Sequence, residues 1–219
     1  MSQRAFVFDV NETLLDLSAL DSFFSAYLQD ASLRHVWFAT LKEWWLVGVA
    51  SGVHRPFDEL ARAALAALPA DVPADATEAL MRSVTALPAF PAVPLTLHEL
   101  QERGHRLVAL TNGTAAAVEQ QLSHAGLTDF FEHILSADEV AQHKPGPKPY
   151  WYAADKLGLP IEKCTMVAAH DWDLQGAHRA GMQTIFVARP GSGTPYCSLY
   201  PAPTHRIEQL NDVLHLPGV

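Results

Sequence analysis

The order of hydrophobic patterns constrains this chain most: one short buried strand, a long helical stretch with no strand in it, then strands alternating with helices to the end. Residues 5–10, AFVFDV, are apolar and β-prone and run into polar residues, the pattern of a buried strand with Asp9 at its carboxyl end. From about Asp16 to Ala89, apolar residues recur at three- and four-residue spacing in DSFFSAYL, VWFATLKEWWLV, FDELARAALAAL and ATEALMRSVTAL, punctuated by Gly52, Pro69 and Pro73. Past Pro88 the pattern alternates. LTLHELQERG, TAAAVEQQLSHAG, PKPYWYAADKLG and WDLQGAHRAG are predicted helices; RLVALTN, a short strand in HILSADEV, TMVAAH and QTIFVA lie between or after them, and a last helix is predicted near Ile207 to Leu214. Such alternation predicts an α/β core with a parallel sheet covered on both faces. The strand-free block is then an all-helical cap, residues 16–89, inserted into a core made of residues 1–15 and 90–219.

With 219 residues the chain suffices for one core with an insert, and 24 acidic against 15 basic residues leave a formal charge of −9. That balance argues against a nucleic-acid groove or a polybasic membrane surface, but not against a small anionic substrate, since local charge in a cleft can oppose the global sign. Met1 to Ala5 lead straight into the first strand with no signal-peptide pattern, so a cytoplasmic location is expected. The longest apolar run, Trp44 to Ala50, is too short to span a membrane and is read as a buried helix face. Cys164 and Cys197 are expected to be reduced thiols. The eleven histidines form no HExxH or HxH cluster and have no CxxC beside them, so most are expected at the surface or at helix ends.

In open α/β sheets ligands bind beyond the carboxyl ends of the strands. The polar residues there are Asp9, Asn11 and Thr13, then Thr111 and Asn112, then Lys144, then His170 and Asp173, standing as DVNETLLD, LVALTNGT, HKPGPKPY and MVAAHDWD. Each alone is weak; a T-N-G run, for instance, is also a strand-to-helix turn with Thr114 as N-cap. Together and in this order they resemble the motifs of the haloacid dehalogenase superfamily, with its Rossmann-like core, and within it most closely the L-2-haloacid dehalogenases. The resemblance implies that Asp9 displaces halide from carbon 2 of a small haloacid and that water hydrolyses the aspartyl ester. It also implies that Lys144 keeps Asp9 ionised, that Thr13 bonds the carboxylate or its loop, and that no cofactor is required. Around the substrate it implies Val10, Asn11, Thr111 and Asn112, with Phe38 and Phe57 from the cap and Tyr150 from the lysine motif. A homodimer through the apolar cap helices, WWLVGV included, is the implied partner.

The residues depart from both branches of the superfamily. Its magnesium-dependent phosphatases carry an aspartate two positions after the nucleophile, where this chain has Asn11, and an acidic GDxxxD pair that falls on Ala169 and Asp173. An amide cannot act as general acid, and alanine offers Mg²⁺ no oxygen. Against the dehalogenase pattern, the usual tyrosine is Asn11, the halide-capturing arginine is Phe38, a serine is Ala168 and an asparagine is His170. A tight aromatic pocket of Phe38, Phe57 and Trp44 would suit a haloacetate, with the Asn11 and Asn112 amides on the anion. His170, with an ordinary pKa near ~6.5, is expected to be the general base for ester hydrolysis, with Asp173 as its orienting counter-charge; the bland alternative is a helix cap. A phosphatase acting on a small phosphate ester and a catalytically silent binding protein remain the alternatives.

Overall fold

A computed structural model describes residues 4–190 and 195–219. Residues 1–3, on which part of the signal-peptide expectation rests, lie outside the described residues. Six parallel strands, β1 (Ala5–Phe8), β2 (Arg106–Thr111), β3 (His133–Ser136), β4 (Cys164–Ala168), β5 (Gln183–Val187) and β6 (His205–Ile207), form one sheet in the order β3-β2-β1-β4-β5-β6. This is a Rossmann-type order, and its switch point lies between β1 and β4. Alternate residues of β1 serve different layers: Phe6 and Phe8 pack with Ala109, Val167 and Ile185, whereas Ala5 and Val7 pack with Val108, Met166 and Ala168. Both faces are thus buried, which is why β1 reads as an unbroken apolar run rather than an alternating one.

Between β1 and β2 run α1 (Asp21–Leu28), α2 (Leu33–Ser51), α3 (Phe57–Ala66), α4 (Ala76–Thr85) and α5 (Val93–Glu102), with no strand among them. The chain leaves and rejoins the sheet side by side: Asp16 N donates to Pro88 O at 2.8 Å and Phe90 N to Leu14 O at 2.9 Å. The stretch from Trp44 to Ala50 lies within α2, and no described helix is long and apolar enough to cross a membrane. The remaining helices, α6 (Ala115–His124), α7 (Lys148–Leu157) and α8 (Asp171–Ala180), alternate with the later strands as predicted. Thr114 caps α6 by accepting from Ala117 N at 3.3 Å.

One element differs from expectation. The predicted last helix near Ile207 to Leu214 is present as a 3₁₀ helix at Leu210–His215, but an unforeseen strand, β6, precedes it and pairs with β5. At three residues, β6 is too short to show a period of its own, and its pairing is fixed by the edge of β5. Cys164 is buried, Cys197 is partly exposed, and both are free.

Candidate active site

Asp9 stands one residue beyond β1, its N–H bonded to Val167 O at 3.0 Å, so it sits at the carboxyl edge of the sheet between β2 and β4. Thr13 donates to Asp9 Oδ2 at 2.8 Å and accepts from Ala169 N at 3.0 Å, which ties the β1 loop to the end of β4. Lys144 is fully buried, and its Nζ reaches Asp9 Oδ1 at 2.8 Å, Asp173 Oδ2 at 2.7 Å and Leu110 O at 2.9 Å, satisfying all three of its donors. Burial alone would raise the Asp9 pKa, but the Lys144 charge and hydrogen bond, together with the nearby His170 charge, hold it well below the usual carboxylate range. Burial alone would lower the Lys144 pKa; the two carboxylates raise it instead. Asp9 is therefore an ionised carboxylate in a buried site.

Asp173 does not meet His170. Its Oδ2 receives Lys144, and its Oδ1 and carbonyl receive the Tyr150 hydroxyl at 2.6 and 2.9 Å. This corrects the expectation that Asp173 orients the histidine: it orients Lys144. Gly176, one turn along α8, permits this arrangement, since a Cβ there would lie 2.5 Å from Tyr150 Oη and 2.7 Å from Pro145 Cα.

The counter-charge of His170 is Glu12, a residue the sequence reading passed over. His170 Nε2 lies 2.6 Å from Glu12 Oε2, while Nδ1 is 3.8 Å from Asp9 Oδ2, an ion-pair separation too long for a hydrogen bond. Burial would lower the pKa of the ring, but Asp9 and Glu12 override it and raise it to about 9. The ring is thus an imidazolium at neutral pH, not the free base expected. Although His170 occupies the N-cap position of α8, its side chain makes no capping bond, so the bland alternative does not hold either. Glu12 takes a left-handed φ of 63°, and the Arg189 guanidinium braces the loop by donating to Glu12 O and Thr13 O, each at 2.7 Å. Only the local sequence DVNETL signals Glu12: a carboxylate three residues past Asp9, on the same turn.

Asp9 opens into a small pocket walled by Phe38, Phe57, Trp45 and Trp172, with Asn11, Thr111, Asn112 and His170 at its rim. Its free volume is about 20 Å³, room for about one water. Trp45, not the expected Trp44, is the tryptophan that α2 contributes to this wall. Two further residues fall elsewhere than expected. Val10 is buried in the core with its carbonyl bonded by Leu14 N and Leu15 N, and Tyr150 lies behind Asp173, so neither lines the pocket. Asn112 does line it, yet both ends of its amide hold the Lys144 backbone, accepting from Lys144 N at 2.7 Å and donating to Lys144 O at 3.2 Å. Asn11 is on the rim with its Oδ1 taken by Gln121 Nε2 at 3.1 Å. Beyond Phe38 and His170 lies a wider cavity of about 520 Å³ lined by Glu12, Asp16, Arg34, Lys42 and Arg189.

The donor set does not fit the magnesium ion of the superfamily's phosphatases. Ala169 carries no side-chain oxygen, and Asp171 is turned away, accepting from Trp172 N at 2.7 Å and Cys197 N at 3.3 Å. Lys144 already occupies the space between Asp9 and Asp173.

Comparison with known proteins bears on the fold and the family. Residues 52–187 match the model of the haloacid dehalogenase-like hydrolase family. The chain is 29% identical over 200 residues to an (S)-2-haloacid dehalogenase of Pseudomonas sp. strain YL, covering 86% of this chain and 84% of that protein. A shorter match, 32% over 124 residues and 57% of each chain, is to the pyrophosphatase PpaX of Bacillus velezensis. The solved structure of the L-2-haloacid dehalogenase RSc1362 superposes with a TM-score of 0.90 at 28% identity and covers 98% of both chains. Fold, match and geometry together make this chain a member of the haloacid dehalogenase-like hydrolase family.

Proposed function

We propose that the protein hydrolyses the carbon–halogen bond of a small 2-haloacid through an aspartyl ester on Asp9. The observation that carries this reading is an ionised Asp9, paired with Lys144, on the floor of an aromatic pocket whose donors do not suit a metal. In the first step an Asp9 oxygen forms a bond to C2 as the C2–halogen bond breaks, and the halide leaves with its electron pair. In the second, water attacks Cγ of Asp9, the ester bond breaks, and the 2-hydroxyacid and a proton are released, regenerating the carboxylate.

Phe38 stands where the resemblance puts an arginine, and His170 supplies the missing cation: its ring lies 6.1 Å from that of Phe38 and stacks on Trp172. During displacement the imidazolium offsets negative charge on the departing halide. Esterification removes the Asp9 charge, one of the two that hold the proton on the ring. The pKa of His170 then falls, and it becomes the base that takes a proton from the attacking water, oriented by Glu12 as a carboxylate orients a catalytic imidazole. The helical block, residues 16–89, acts as the cap that brings Phe38, Trp45 and Phe57 over Asp9. The wide cavity with Arg34, Lys42 and Arg189 gives an anion a locally positive approach despite the overall charge of −9.

The test is halide release from chloroacetate, bromoacetate and both enantiomers of 2-chloropropionate, run beside p-nitrophenyl phosphate turnover, each with EDTA or with Mg²⁺. Halide release that survives EDTA is expected. Phosphate release that needs Mg²⁺, with no halide, would replace this reading with the phosphatase; silence in every arm would leave a binding protein.

A further inference from the structure

Two histidines that no local spacing connects meet one aspartate at the seam between the helical block and the sheet. His54 belongs to the turn between α2 and α3; Asp138 and His143 flank the turn before Lys144. His54 Nε2 lies 2.9 Å and His143 Nε2 3.6 Å from the same oxygen, Asp138 Oδ1, and the ligand atoms of all three residues fall within 4.8 Å of one another. His143 is 3% exposed, and its Nε2 has no hydrogen-bond partner among the described residues; nor has Asp138 Oδ1, despite its closeness to His54. A buried ring nitrogen and a buried carboxylate oxygen left unbonded while aimed at one point are costly, unless a cation takes their lone pairs.

The spacing suits one. With metal–ligand bonds of ~2.05 Å, tetrahedral ligands sit about 3.3 Å apart, and the two measured separations fall on either side of that value. Two imidazoles with one carboxylate select a borderline ion such as Zn²⁺ over Mg²⁺, which prefers oxygen alone. Asp58 and Glu59, in the first turn of α3, add negative field at Asp138.

We propose that His54, Asp138 and His143 bind one divalent transition-metal ion of the zinc class, clasping the α2–α3 turn to the loop that carries Lys144. His143 directly precedes Lys144, and only Arg55 and Pro56 separate His54 from Phe57, so the ion would pin a pocket wall and the Asp9 counter-ion at once. It takes no part in the haloacid reaction, and the proposal stands or falls separately from that reading.

The test uses the full chain without an affinity tag, stripped with EDTA, dialysed and titrated calorimetrically with ZnCl₂, with Co²⁺ absorption reporting coordination geometry. One Zn²⁺ per chain, visible bands of tetrahedral Co²⁺, and a melting temperature raised by Zn²⁺ are expected. His54→Ala, in a partly exposed turn, should weaken Zn²⁺ binding at least about 100-fold while leaving the far-ultraviolet circular dichroism unchanged, and Asp138→Asn should do the same. No stoichiometric binding in the parent, or a folded His54→Ala protein that binds Zn²⁺ as the parent does, overturns the proposal.

Discussion

Glu12 and His170 show how a pair of side chains can set what the loop after β1 does. Glutamate in a left-handed conformation costs about 1 kcal/mol or more relative to glycine, and its carboxylate is held against an imidazole that it keeps charged. The consequence is a pH dependence with a definite sign. The pKa of His170 is raised from the ordinary value of 6.5 to about 9, so the imidazolium is present throughout the neutral range and lost as pH rises through about 9. Single-turnover formation of the Asp9 ester, followed by the mass of the Asp9 peptide, should fall with a midpoint near that value. Glu12→Gln should move the midpoint downward; an unchanged midpoint would remove Glu12 from the control of this proton. Asp9→Asn should lower steady-state turnover by at least about 10³-fold with the fold retained, because the amide keeps the shape but loses the nucleophile. Halide release at the parent rate would instead indicate direct attack by water.

At the scale of elements, the lysine motif and α8 are one device. Lys144 is held by Asn112 at its backbone and by Asp173 at its ammonium, and Asp173 is held in turn by Tyr150 of α7. Gly176 of α8 leaves no room for a Cβ against Tyr150 and Pro145. Gly176→Ala should therefore push α7 and α8 apart, costing about 1–3 kcal/mol in a urea unfolding series and lowering turnover by displacing Lys144. Parent-like stability and activity would show that the α7–α8 contact is softer than its distances indicate. The pocket they support has room for about one water, so on the proposed function its walls part to admit a haloacid. Trp45 and Trp172 report that motion, and the change in tryptophan fluorescence on mixing with chloroacetate should be largely lost in Trp45→Phe.

For the molecule as a whole, the charge on His170 also contributes to stability. A group whose folded pKa exceeds its unfolded value stabilises fully below the unfolded value and stops doing so as pH climbs through the folded one. The unfolding free energy from urea titration should thus fall between pH 6.5 and about 9, by on the order of 1–3 kcal/mol, and His170→Gln should flatten that decline. The sequence by itself determined the parallel α/β architecture, the strand-free block after β1, and the gathering of Asp9, Thr13, Lys144 and Asp173 at strand ends, because hydrophobic periodicity and strand-end position are local properties of a chain. It could not show that Asp173 serves Lys144 rather than His170, that Tyr150 stands behind the site, or that Trp45 and not Trp44 faces the pocket. Neighbouring residues on a helix point about 100° apart, and only packing chooses between them. Nor could it foresee β6, which takes its form from the edge of β5, or the meeting of His54 with Asp138 and His143. The charge state of His170 was beyond it for the same reason: a pKa is set by distances to Asp9 and Glu12 in a buried site, and those distances exist only once the chain has folded.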